Sequence, residues 1–166
     1  MLLGWAFMLC AVSVAVWTDV RTRRVPNLLT GSLAAVAVAA HAGEGFGAVA
    51  LVIGVMIVTF AMGTIAFSLG WFGGGDVKLL AACCGVAGFP GWTTLLFFTL
   101  LAGGVVAVVE ATHRGRLRAV LRSTLTAAMT NVATERLDMP YAIAIAIGAG
   151  AYVLSATAAP FMRLPL

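Results

Sequence analysis

Long stretches of this chain carry no Asp, Glu, Lys or Arg: residues 1–18, 25–43, 45–75, 79–109 and 139–162. A helix crossing a hydrocarbon core about 30 Å thick needs about 20 mostly apolar residues. In hydrocarbon every backbone polar group must be bonded within the protein, which leaves helices as the natural use of such runs. The expected fold is therefore all-α and polytopic in a membrane. Composition enters as a check, with 62% hydrophobic and 10% charged residues, against about 45–50% and 25% in soluble domains. An ordinary soluble domain, a disordered chain and a nucleic-acid-binding module are excluded. The net charge of +4 needs no acidic partner, because basic residues collect in cytoplasmic loops. Cys10, Cys83 and Cys84 lie in apolar runs and form no CxxC, so neither a disulfide framework nor a metal site is expected.

The run 79–109 is too long for one upright helix, and it contains Gly88-Phe89-Pro90-Gly91, a turn signal, with Trp92 beside it as an interface anchor. Two spans, about 76–88 and 92–110, are expected, making six transmembrane helices. Charge checks the count. Arg21, Arg23, Arg24, Lys78, Arg114, Arg116, Arg118, Arg122 and Arg136 then share one side, and only Arg163 falls on the other. A single span over 79–109 would set the arginines of 111–138 opposite the Arg21–Arg24 cluster, against the positive-inside rule. Both termini are thus expected outside, with 19–27, 70–78 and 111–138 in the cytoplasm.

The first span lacks a basic n-region and a small-x-small cleavage site, so a retained helix is expected rather than a signal peptide. In 111–138, Leu117, Leu121, Leu125, Ala128 and Val132 recur at helical spacing beside Arg114, Arg118 and Arg122. The pattern suits an amphipathic interfacial helix at about 113–134, and equally a solvated loop. The whole of 1–166 reads as one domain.

Ionisable groups at a membrane ask for a reason. Glu44, Glu110, Glu135 and Asp138 sit in expected loops or helix ends, where water suffices. Asp19 and Asp76 instead sit where apolar helices meet the cytoplasmic face. The helix opened by Asp76 has only about 13 residues before Gly88, roughly 20 Å against a ~30 Å core, so Asp76 is expected at a partly desolvated depth. Gly73, Gly74 and Gly75 directly precede it. Glycine permits positive φ and close approach of another chain, whereas a helix-capping Asp needs no glycines. Asp19 leads into Val20-Arg21-Thr22-Arg23-Arg24-Val25-Pro26-Asn27, where Pro26 disfavours helix before it and Asn27 is an expected N-cap. Two carboxylates about 4 Å apart repel by on the order of 4 kcal/mol at an effective dielectric near 20. Such a pair holds one proton between them and can activate a water against a peptide carbonyl, titrating as a unit.

At these residues the chain resembles the type IV prepilin peptidases, membrane aspartic proteases of the Gly-x-Gly-Asp kind. The matching pieces are Asp19 with Arg23 and Val25-Pro26-Asn27, the block Gly73-Gly74-Gly75-Asp76-Val77-Lys78-Leu79, and Pro140-Tyr141-Ala142 with Gly148. The resemblance implies that Asp19 and Asp76 are the catalytic pair and that Gly73 and Gly75 shape the loop holding Asp76; Lys78 suits a group that biases the pair or binds lipid phosphate, and equally a plain positive-inside charge. It implies an endopeptidase in the bacterial inner membrane or the archaeal cell membrane. That enzyme removes a short basic leader from prepilin or pseudopilin substrates, ahead of their hydrophobic helix, at the cytoplasmic face. With no CxxC, methyl transfer and a zinc ribbon are not expected, and no cofactor is implied. The short form resembles the branch serving Flp-type (tight-adherence) pili. A proton-coupled carrier and a non-catalytic pilus-assembly scaffold are the alternatives from other classes. Lone His41 and His113, expected on opposite sides, suggest neither catalysis nor a metal. Cys83 and Cys84 read as small packing residues, and Gly103-Gly104 suit close helix packing.

Overall fold

A computed structural model describes residues 2–69, 72–113 and 141–158. They form five helices: α1 (Leu2–Thr22), α2 (Asn27–Ala42), α3 (Phe46–Ser68), α4 (Gly74–His113) and α5 (Tyr141–Ala158). Among the described residues there is no strand. Beyond His113, the expected interfacial helix at 113–134 with Arg114, Arg116, Arg118 and Arg122 falls outside the described residues, as do Glu135, Arg136, Asp138 and Arg163.

α4 is two helical pieces. Gly88 (φ 61°, ψ −178°) and Phe89 (φ −88°, ψ 132°) leave helical geometry, at the turn the sequence marks. A left-handed φ is strained for any residue with a Cβ, and here Gly88 also lies against the His41 ring. Neighbour pairs give the direction of each piece. Gly63 packs on Val77 and Met56 on Gly85, so α3 runs antiparallel to the first piece. Val25 lies on Gly75 and Ala37 on Gly85, so α2 runs parallel to it. Gly4 faces Ala40 and Val86, which sets α1 antiparallel to both. On α5, Tyr141 stacks on Phe72 near the start of the first piece, and the Tyr152 hydroxyl donates to the Ala87 carbonyl (3.3 Å) near its end. α5 is therefore parallel to the first piece. Against the second piece it is antiparallel, with Tyr152 on Gly91, Gly148 on Thr99 and Ala144 on Gly103. The two pieces of α4 hence run in opposite directions, a helical hairpin folded at Gly88.

The first piece is the centre of the bundle. Residues 79–88 are buried without interruption, which an amphipathic helix on a protein surface would not show. Leu79, Cys83, Cys84 and Val86 pack there against Met8 and Val12 of α1, Leu33 of α2, Val52 of α3 and Ile145 of α5. The remaining helices turn large apolar side chains outward, among them Leu51, Ile57 and Ile65 on α3 and Leu100 and Leu101 on α4. Four helices (α1, α3, α4, α5) are long and apolar enough to cross a membrane, and α2 is a shorter apolar helix. One end of the bundle gathers the end of α1, the start of α2, the end of α3 and the starts of α4 and α5. Arg21, Arg23, Arg24 and Lys78 all lie at that end.

Candidate active site

Asp19 and Asp76 lie at this same basic end, on two different helices. α1 runs past the charge-free stretch to Thr22, so Asp19 stands in its last turn, half-buried. Arg23 ends the helix in the left-handed region (φ 50°), its N–H donating to the Asp19 carbonyl at 2.8 Å. Such a residue just past a helix closes its final turn. The Arg23 charge also acts on the Asp19 carboxylate.

The chain then extends through Pro26 (φ −62°, ψ 132°) into α2. Here the expected cap is corrected. Asn27 is the first helical residue, Pro26 is the cap position, and no side chain caps the helix. The Pro26 carbonyl accepts from Leu29 N–H (3.1 Å) and Thr30 N–H (3.3 Å). Asn27 Oδ1 is used elsewhere, accepting from Lys78 Nζ at 2.9 Å. Proline fixes φ and excludes helix before it, so the Asn27 side chain is free to tie α2 to α4.

Asp76 stands in the first turn of α4. Gly73 precedes the helix and its N–H reaches back to the Asp76 carboxylate. An acid at the third helical position bonding the cap residue's N–H is half of a capping box. The carboxylate lies so close to Gly73 that a Cβ there would sit 2.6 Å from Oδ2. Gly75 is nearly as tight, a Cβ there meeting Val25 at 3.1 Å. Gly74 is open, its nearest neighbour being Phe67 at 3.7 Å. Positive φ plays no part, because the glycines with left-handed φ among the described residues are Gly45 and Gly88. The first and third glycines are needed for close approach, one to the acid and one to the chain leading from Asp19.

Asp76 is only 7% exposed, and its Oδ1 is buried without a hydrogen-bond partner among the described residues. Asp19 is near enough that the two carboxylates repel each other. A third group, Tyr141 at the start of α5, is close enough to feel the Asp76 charge. Its ring packs on Phe72 (centroids 4.6 Å apart), one residue before Gly73. Sequence reasoning quoted Tyr141 without giving it a role. The only signal was a hydroxyl-bearing aromatic opening an apolar helix.

Lys78 lies two residues beyond Asp76, about 200° around the helix, and points to Asn27 on α2 rather than to the acids. His41 is buried at the opposite end of the bundle against Gly88, its Nδ1 2.9 Å from the Ala37 carbonyl oxygen. Cys83 and Cys84 are wholly buried packing residues and Cys10 is exposed.

An apolar helical bundle with two carboxylates drawn together at one charged end defines a class, an integral membrane protein with an acid pair at its edge. Residues 6–108, which include both acids, match the model of the type IV leader peptidase family, and the chain belongs to that family. It is accordingly a peptidase of the prepilin leader type. Neither the curated proteins nor the solved structures contain a match.

Proposed function

We propose that the protein is an aspartic endopeptidase in which Asp19 and Asp76 jointly activate a water against the peptide bond following a prepilin leader. The observation carrying this reading is a buried Oδ1 of Asp76 with no hydrogen-bond partner among the described residues, on a carboxylate near enough to Asp19 for the two charges to repel. A buried polar atom left unbonded costs about 1–3 kcal/mol. On a carboxylate beside a second acid, that oxygen is available to a water or a substrate group.

In the proposed reaction one carboxylate takes a proton from the water as it attacks the scissile carbonyl. The protonated partner donates a hydrogen bond to the developing oxyanion. The proton then passes to the leaving amine as the C–N bond breaks. The Gly73 N–H holds Asp76 in one orientation, and the Tyr141 hydroxyl is placed to orient Asp76 or the bound carbonyl.

The same reading includes six membrane crossings, α4 counting twice through its hairpin, both termini outside, and the acid pair facing the cytoplasm. Four cations at the acid end support that sidedness. The position also speaks against the carrier alternative, for which acids near the bilayer midplane between broken helices are natural. The substrates are prepilins or pseudopilins of a pilus such as the Flp type, in a bacterial inner or archaeal membrane.

The test is co-expression with a small prepilin, read as a mobility shift on leader removal. Wild type should process it, whereas Asp19→Asn and Asp76→Asn should insert in the membrane and leave the precursor intact. Full pilus assembly by an Asp19→Ala/Asp76→Ala double variant would favour the scaffold reading instead.

A further inference from the structure

Between α2, α3 and the first piece of α4 lies an open groove of about 440 Å³. Gly31 and Ala34 line it from α2, Ile57 and Phe60 from α3, and Ala81 from α4, with Lys78 and Asn27 at its mouth. Phe60 and Ile57 are 45% and 63% exposed on the outer surface of an apolar helix, so in a membrane this face meets lipid. The groove is separate from the acid pair, because Lys78 and Asp76 lie on opposite sides of their helix.

We infer that this groove binds one anionic phospholipid, its phosphate on Lys78 and an acyl chain along Gly31, Ala34 and Ile57. Charge and shape select that occupant. The only ionisable group in the lining is a cation at the bundle's basic end, and everything beyond it along the groove is apolar apart from the Thr30 hydroxyl, which is bonded to the Asn27 carbonyl at 3.0 Å. An ammonium has three protons, and Lys78 gives one to Asn27. That bond anchors the Nζ at headgroup level with two donors left for a phosphate. Arg21, Arg23 and Arg24 at the same end add to the attraction for anionic headgroups. A spanning helix is 10–12 Å across and contacts its partner over about 30 Å. From Asn27 to Ala34 the groove runs about 10 Å at 1.5 Å per residue, enough for part of one chain of a lipid and too short to seat such a helix. The inference depends on the membrane setting and not on peptidase chemistry.

The test reconstitutes the protein in equal parts phosphatidylcholine and phosphatidylglycerol, extracts it gently and weighs it by native mass spectrometry. Wild type should retain one phosphatidylglycerol and no phosphatidylcholine. Lys78→Gln should cut retention about tenfold, the scale of one charge-assisted hydrogen bond. Gly31→Leu should do the same by filling the groove. A Cβ at Gly31 meets nothing within 4 Å, and circular dichroism checks that the variant keeps its helices. Arg24→Gln, outside the groove lining, should lose far less of the lipid than Lys78→Gln. Equal retention of both lipids, wild-type retention by Lys78→Gln, or a lipid-free dimer with a second copy over the groove would each overturn the inference.

Discussion

Gly148 is the position at which a single methyl group should do most damage, and the size of the effect follows from the helix spacing. A Cβ added there would lie 2.6 Å from the Thr99 Cα and 2.7 Å from the Thr99 N. Ordinary carbon–carbon contact is about 3.5–4.0 Å, so α5 and the second piece of α4 must part by about 1 Å. The Thr99 hydroxyl also obstructs, but rotating that side chain leaves the two backbone atoms in the way. Overpacking of this kind costs about 1–3 kcal/mol, and a gap of about 1 Å forfeits up to half of each neighbouring dispersion contact. We expect Gly148→Ala to lower stability by about 2–3 kcal/mol. Two controls isolate the cause. A Cβ at Gly103 would make ordinary contact with Ala144 (3.8 Å), and at Gly150 it would meet nothing within 4 Å. Those alanine variants should stay within about 0.5 kcal/mol of wild type or gain slightly, since glycine is a poor helix former. The assay is unfolding in mixed micelles of rising SDS fraction, followed by helical circular dichroism. Gly148→Ala unfolding at the same SDS fraction as Gly150→Ala would refute the close approach on which the argument rests. Because α5 presents Tyr141 to the acids, cleavage by Gly148→Ala should fall as well.

Further outcomes follow from the site. Gly73→Ala should cut the rate of leader cleavage about a hundredfold, the usual result of displacing a reacting group by about 1 Å, because its methyl would strike Asp76 Oδ2; Gly74→Ala should cleave within about twofold of wild type. Asp76→Asn replaces a buried ionisable group beside another carboxylate with a neutral one, so it should abolish cleavage yet raise the SDS midpoint or leave it unchanged, a gain of about 1 kcal/mol being the scale of one unpartnered buried group. Tyr141→Phe keeps the packing on Phe72 and loses the hydroxyl. It should lower kcat at least about tenfold with little change in KM or stability, and an unchanged kcat would remove Tyr141 from the site.

The five charge-free runs of the sequence correspond to the helices, and the Gly88–Pro90 turn marks the hairpin in α4, because charges and a turn-forming glycine are costly within an apolar span. The two acids stand out in the sequence for the same reason, whereas Gly73 and Gly75 are singled out there only by the resemblance to the prepilin peptidases. What could not be read was helix rotation. Lipid is as apolar as the protein core, so the outward and inward faces of these helices carry similar residues and periodicity is silent. The Gly148–Thr99 contact, the Lys78–Asn27 bond and the approach of Tyr141 all depend on rotation. Asn27 was misread as a cap because local sequence favours that role, whereas a residue on α4 claims its side chain. Gly103-Gly104 suit close helix packing, yet a Cβ at Gly103 would make only ordinary contact while one at Gly148 would strike the Thr99 backbone.

The central claim is that Asp19 and Asp76 act as one unit, and a purified cleavage assay on both single Asn variants and the double variant tests it most directly. Groups that act together lose nearly everything when either is removed and nothing more when both are. We expect each single variant at background rate with the double no slower, and either single variant cleaving at the wild-type rate would contradict the account.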